Sequence, residues 1–165
     1  PDAALADLGV WGAMTGAGFL LAAVVVPSLV SRVGLRTTLV ALLSLGAAST
    51  LVVTFSDGRW VLFGMSFVVG LVTQAVKVCV DGLVHAHVDE TYKGRVFTFY
   101  DMGFNGAYVL AAVVAMFALP VDGVSSPAFA AMTALFVALA ALTAWGAARI
   151  TVAEFERGSE DLART

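Results

Sequence analysis

Six polar residues stand inside otherwise apolar stretches of the sequence, and their types suit the binding of a solute or the transfer of a proton. They are Gln74, Lys77, Asp81, Asp101, Asn105 and Tyr108. The first three follow the spacing i, i+3, i+7 and the last three follow i, i+4, i+7, so on helices each set shares one face. We expect these two faces to converge on consecutive helices and to line a polar cavity.

Three interpretations of the charged members remain open. Lys77 could form a structural or gating ion pair with Asp81 or Asp101, the charges could handle substrate or protons directly, or Lys77 could extend to the membrane surface with the aspartates at the interface. A Lys followed by an Asp at i+4 has the less favourable charge order on a helix. This order slightly favours Asp101 as the partner.

Depth along the helices separates the charges from the amides. Lys77 lies 17 residues after Trp60, a rise of about 26 Å in a helix, so the charges cluster toward one end of the run rather than at its centre. Gln74 and Asn105 lie deeper than the charges on their respective helices. They are the better candidates for hydrogen bonds to a substrate.

The composition places these residues in a membrane protein. Of 165 residues, 60% are apolar and 13% are charged, whereas soluble domains carry roughly a quarter charged residues. Four stretches contain no charged residue, and they are 8–31, 37–56, 102–121 and 123–148. Each stretch is long enough for the roughly 20 residues that cross a bilayer as a helix. The stretches exceed the roughly 10 residues of a membrane barrel strand and lack its alternation.

The sequence therefore predicts an all-α integral membrane helical bundle with about five transmembrane helices. The predicted spans are 8–30, 37–56, 60–84, 96–119 and 127–148, with connecting loops that include 31–36 and 85–95. Residues 1–148 form the predicted bundle and residues 149–165 a polar cytoplasmic tail, expected to be solvated or frayed. Pro27 is expected to kink or end the first helix. Gly12 and Gly16 form a GxxxG motif, with Gly18 nearby, that predicts close helix packing.

The distribution of Lys and Arg predicts the orientation. Seven of these residues lie in the loops 31–36 and 85–95 and in the tail, against Arg59 alone on the opposite side. Because cytoplasmic loops are enriched in Lys and Arg, the N-terminus of this chain is predicted to lie outside and the C-terminus in the cytoplasm. An odd helix count, an outside N-terminus and a first residue that is Pro1 rather than Met predict a fragment of a longer protein.

Residues 27–36 resemble a loop signature of the major facilitator superfamily, Gly-x-x-x-Asp-Arg-x-Gly-Arg-Arg, which joins the second and third helices of each six-helix half. Arg32, Gly34 and Arg36 match the signature. Three positions depart from it, and they hold Pro27, Ser31 and Leu35. Gly34 also permits a tight reversal with positive φ between two helices.

A second stretch is similar to the entry into the fifth helix of a half in the same superfamily. Acidic residues precede Gly94 and Arg95, which are followed by Val96, and the pattern is most like drug- and siderophore-exporter branches. The resemblance implies that the five helices correspond to the eighth to twelfth of a twelve-helix carrier in the plasma or inner membrane. It implies partners in the lipid bilayer, the missing N-terminal helices and a small-molecule substrate, with export driven by a proton gradient.

A different class of function also stays open. The chain could belong to a membrane scaffold or receptor that kept the fold without transporting a solute. The sequence shows no nucleophile–base pair, metal-ligand spacing or phosphate loop, so no enzyme, cofactor, metal or nucleic-acid partner is predicted. His85 and His87 point about 200° apart on a helix and would not share a metal.

Overall fold

A computed structural model describes the backbone of residues 2–56, 58–88, 90–120 and 125–163, and the side chains of 5–56, 58–85, 88, 90–117, 119–120 and 125–146. The described part of the chain is all-α and consists of five helices. In chain order they are α1 (Asp2–Val33), α2 (Leu35–Phe55), α3 (Arg59–His87), α4 (Glu90–Ala118) and α5 (Ser126–Ala163). The all-α prediction is confirmed.

All five helices contain a segment that is long and apolar enough to cross a membrane. The segments are Leu5–Val33, Leu35–Phe55, Arg59–His85, Glu90–Phe117 and Ser126–Gly146. Helices suit this environment because each satisfies its own backbone hydrogen bonds where water is absent. The predicted number of membrane helices is therefore confirmed within the described residues.

The turn between α1 and α2 is tighter than predicted. The expected loop 31–36 is reduced to Gly34, whose φ of +84° lies in the region that glycine adopts without strain. Its N–H donates to the carbonyl oxygen of Val30 at 2.9 Å. Pro27 lies inside α1, which continues to Val33, so the alternative that Pro27 ends the helix was wrong.

The expected loop 85–95 is also mostly helical. Helix α3 ends at His87, and α4 already begins at Glu90. Glu90 is an acidic residue in the first turn, where it interacts favourably with the helix dipole, and Lys93 forms an ion pair with it one turn later. Gly94 and Arg95 therefore lie within α4, and their placement in a loop was wrong.

The polar tail departs from the prediction as well. Helix α5 runs to Ala163, so residues 149–163 continue the last membrane helix. The expectation of a frayed tail was wrong for this segment. Its sequence is rich in Ala, Glu and Arg, which are among the strongest helix formers, and this propensity favours the extension beyond the apolar run.

Helices α1 and α3 form a parallel pair whose backbones approach very closely. A Cβ atom on Gly18 would lie 2.1 Å from the carbonyl oxygen of Phe67, and one on Gly70 would lie 2.3 Å from that of Thr15. Glycine is required at both positions because the partner atoms are backbone. Gly12 and Gly16 have nothing within 4 Å of a built Cβ. The close packing of α1 is therefore present, but at Gly18 rather than at the predicted GxxxG motif.

Helices α2 and α5 form a second, antiparallel pair. The ring of Phe136 packs onto Gly46, where an added Cβ would lie 3.1 Å from the ring. The hydroxyls of Thr50 and Thr133 are hydrogen-bonded at 2.8 Å, and Thr133 also donates to the Phe129 carbonyl at 2.9 Å. Such bonds between membrane helices satisfy buried hydroxyls that have no water to bond.

A small apolar core joins the pairs, and α4 lies at its edge. The core contains Ala22, Val26, Leu42, Leu43, Val72, Ala75 and Cys79 from α1, α2 and α3. Helix α4 packs mainly against α3, and none of its described side chains is buried. The link between α3 and α4 therefore depends on a few side chains.

The two glycines at the crossing of α1 and α3 give a stability prediction. In the full-length protein, Gly18→Ala and Gly70→Ala are each expected to lower the free energy of unfolding by about 1–3 kcal/mol, because the new methyl group must push backbone apart. Thermal unfolding of the detergent-purified protein measures the loss. Gly12→Ala and Gly16→Ala on α1 are the matched controls and are expected to unfold at or above the wild-type temperature. Equal effects at all four positions would contradict the assigned crossing point.

Candidate functional site

Lys77 stands between carboxylates from two helices. Its ammonium Nζ lies 3.4 Å from both carboxylate oxygens of Asp81, one turn away on α3, and 3.2 Å from Oδ1 of Asp101 on α4. We call these three residues the charge cluster. The two ion pairs place Lys77 in contact with both of the partners that the sequence left open. Only the pair with Asp101 joins two helices.

Two aromatic rings of α4 also face the ammonium. Lys77 Nζ lies 4.9 Å from the ring centroid of Tyr100 and 5.3 Å from that of Phe104. Both distances are within the roughly 6 Å over which a cation is attracted to a ring face. The ammonium is therefore held by carboxylates and by aromatic faces together.

The aromatic side chains continue along α4 as a row. Tyr100, Phe104 and Tyr108 follow one another at i, i+4 and i+8. The ring centroids of Tyr100 and Phe104 are 6.0 Å apart, and those of Phe104 and Tyr108 are 5.2 Å apart in an edge-to-face arrangement. We call these three residues the aromatic row. It starts at the charge cluster and extends about 12 Å toward the other end of the bundle.

The charge cluster is partly exposed within this chain. The side chains of Lys77, Asp81 and Asp101 are 26%, 33% and 52% exposed, respectively. With both carboxylates ionised, one ammonium and two carboxylates leave a formal charge of -1. Because a single charge at the centre of a membrane helix costs about 2.5–3.5 kcal/mol on insertion scales, loss of one partner would leave the others poorly compensated.

The two amide residues expected to reach the substrate occupy different settings. The side-chain amide of Asn105 donates to the backbone carbonyl of Asp101 at 2.8 Å, so this donor is used within α4. Gln74 is partly buried one turn before Lys77 on α3. Tyr108 is 48% exposed at the end of the aromatic row. The roles of these residues in a substrate or proton pathway stay predictions.

The residues of the first loop signature lie at the turn between α1 and α2. Arg32 is exposed in the last turn of α1. Arg36 lies in the first turn of α2, and its guanidinium donates to the carbonyl oxygen of Ala144 on α5 at 2.9 Å. This bond ties the pair of α2 and α5 at the end that the sequence predicts to be cytoplasmic.

Sequence reasoning missed two features of the structure, one beside the charge cluster and one at the opposite end of the bundle. Tyr100 and Phe104 were not singled out, although their spacing with Tyr108 and their position beside Asp101 were signals in the sequence. An ion pair at the other end of the bundle joins Asp7 of α1 to Arg59 of α3. Its sequence signal is weaker, because charges at two helix ends show no spacing that predicts contact.

The described side chains contain no group of three or more His, Cys, Asp and Glu residues that could hold a metal ion. The charge cluster has two carboxylates, and a lysine occupies the space between them. The geometry of the cluster is therefore that of one ammonium paired with two carboxylates.

Comparison with known proteins identifies the family. Residues 2–161 match the model of the Major Facilitator Superfamily. Two similar proteins, both named uncharacterized MFS-type transporters, come from Mycobacterium bovis and Mycobacterium tuberculosis, and each is 34% identical over 112 residues. The match covers 67% of this chain but 25% of each relative, so it spans about a quarter of their length. No solved structure matches the chain.

The family match extends over all five helices, and the loop signature that the sequence shares with the family lies where α1 meets α2. This chain belongs to the Major Facilitator Superfamily.

Proposed function

We propose that the protein containing this chain is a secondary active transporter in the cell membrane that exports a small molecule in exchange for protons. Family membership supports membrane transport rather than an enzymatic activity. The observation that carries the proton-coupled version is the ion pair of Lys77 with Asp101, which joins α3 to α4. The remaining helices of the carrier would precede this chain and form the other half of the substrate pathway.

The ion pair is suited to a gate because little other packing joins α3 to α4 around it. Helices α3 and α4 have few other contacts, and no described side chain of α4 is buried. Breaking the pair between Lys77 and Asp101 therefore disrupts little apolar packing. Within this chain, the pairs formed by α1 with α3 and by α2 with α5 are packed more tightly, and this difference supports α4 as the helix that shifts.

Proton uptake gives a direct way to break the pair. The side chain of Asp101 is about half exposed within this chain, and we propose it as the group that receives the proton. A protonated Asp101 no longer attracts the ammonium electrostatically, whereas Asp81 remains 3.4 Å from Lys77 on the same helix. The ammonium would then stay compensated on α3 while α4 is released. In this mechanism a proton moves α4, and the inner end of the pathway opens or closes.

Transport measurements on the full-length protein test this proposal. In everted membrane vesicles, a transported compound is expected to collapse an imposed pH gradient, which a fluorescent amine such as quinacrine reports. Asp101→Asn and Lys77→Ala are expected to lower the rate at least about tenfold, because each removes the charge pair that responds to the proton. Asp101→Glu, which keeps the carboxylate, should retain part of the rate.

Glu90→Gln is the matched control because it also converts a carboxylate of α4 to an amide. Glu90 is exposed and pairs with Lys93 on the same helix, so wild-type transport is expected. Wild-type rates in both Asp101→Asn and Lys77→Ala would contradict a role for the charge cluster in coupling.

The alternative function, a membrane scaffold or receptor that does not transport a solute, can be distinguished by the number of helices that the gene encodes. The carrier proposal predicts about seven further helices upstream of this chain, with another loop containing Asp-Arg-x-Gly. An open reading frame limited to five helices would favour the alternative.

The proposed orientation can be tested by labelling. Ser56 and Arg32 are exposed at opposite ends of the bundle, and the excess of Lys and Arg predicts that the end bearing Arg32 is cytoplasmic. With Cys79 and other thiols replaced by Ala, Ser56→Cys is expected to react with a membrane-impermeant maleimide in intact cells. Arg32→Cys should react only after permeabilisation. The reverse pattern would contradict the orientation.

A further inference from the structure

We propose that the charge cluster and the aromatic row form a binding site for a monovalent organic cation, and that the Lys77 ammonium occupies this site as a tethered competitor. This inference rests on the proposed transport function and names the class of substrate. It starts from the observation that Lys77 is itself a cation held simultaneously by two carboxylates and two aromatic faces.

The contacts of Lys77 define what the site recognises. Carboxylate oxygens of Asp81 and Asp101 lie 3.4 and 3.2 Å from Nζ, and the ring centroids of Tyr100 and Phe104 lie at 4.9 and 5.3 Å. Ring faces attract cations that have shed their water, and carboxylates neutralise their charge. The combination suits an ammonium or phosphonium group attached to an apolar body.

The charge of the cluster limits the ligand to a single positive charge. One ammonium and two ionised carboxylates sum to -1, so one monovalent cation brings the cluster to neutrality. A single proton on Asp101 does the same. Because the cluster can be neutralised by either one, proton and organic cation compete, and binding of one favours release of the other. An anionic solute would meet a repulsive site.

The aromatic row provides the surface for the apolar part of the ligand. Tyr108 and Phe104 continue from the charge cluster along α4, and Tyr108 is 48% exposed. A flat or aromatic body lying on these rings would place its charged group beside Asp101. In this proposal, the rings next to the charges bind the apolar part of the ligand.

Direct binding of tetraphenylphosphonium tests the site. The probe is a monovalent cation with an apolar body, and radiolabelled probe can be measured on the purified full-length protein. Lys77→Ala removes the competing ammonium and is expected to tighten binding about tenfold, whereas Asp101→Asn is expected to weaken it about tenfold. Phe104→Leu, which keeps an apolar side chain, is expected to weaken binding about two- to fivefold.

Controls separate charge recognition from general apolar binding. Glu90→Gln is expected to bind the probe like the wild type, because Glu90 pairs with Lys93 and lies outside the charge cluster. Unlabelled tetraphenylphosphonium should displace the bound probe, while neutral triphenylphosphine oxide at the same concentration should not. Gel filtration of each variant verifies that it is folded.

The proposal is overturned if Lys77→Ala binds the probe no more tightly than the wild type, or if the neutral oxide displaces the probe equally well. If Lys77→Ala does not fold, unchanged affinity in both Asp101→Asn and Phe104→Leu overturns it instead. Loss of proton-coupled transport in Asp101→Asn with unchanged probe affinity would leave the transport function standing and remove the cation site. Probe binding with the expected changes in a protein that transports nothing would support the cation site and remove the transport function.

Discussion

A charged ammonium inside an apolar helix must be compensated, and Lys77 meets this requirement with carboxylates from two helices. Asp81 supplies one on α3, and Asp101 supplies the other on α4. This arrangement holds α4 to the bundle where apolar packing is sparse. Rings of Tyr100 and Phe104 complete the surroundings of the ammonium. The same group of side chains thus links α4 to α3 and carries the charges that the proposed mechanism uses.

Within this chain, the other helices pack against each other more closely than α4 packs against α3. Helices α1 and α3 approach so closely at Gly18 and Gly70 that an added methyl group would overlap backbone atoms. Helices α2 and α5 are joined by packing at Gly46 and by the hydroxyl bond between Thr50 and Thr133. Such interfaces resist sliding because close backbone contact leaves no space to move into. Within this chain α4 has the weakest apolar attachment, so the proposed change of charge at Asp101 would act on α4 first.

Much of this organisation could be predicted from sequence, because apolar run length and charge placement are local properties. The number of helices follows directly from them, whereas the turn at Gly34 is shorter than the expected loop 31–36. Helix ends were less predictable, since polar residues such as Glu90 extend helices beyond the apolar runs. The crossing point at Gly18 and the rings around Lys77 depend on how helices are rotated and shifted against each other. One sequence contains no direct signal for that geometry, so the carboxylate partners of Lys77 could be proposed from the polar stripes but the rings around it could not.

The proposed mechanism requires that the ion pair of Lys77 with Asp101 restrains α4 while α1 and α3 move as one unit. Pulsed electron resonance on the full-length protein measures this with spin labels at exposed positions, pairing Leu20 of α1 with Val109 of α4, and Leu20 with Gly64 of α3 as the reference. On Asp101→Asn substitution, the distance distribution between α1 and α4 is expected to shift or broaden while the distribution between α1 and α3 stays unchanged. Two unchanged distributions, or two that change together, would contradict the account.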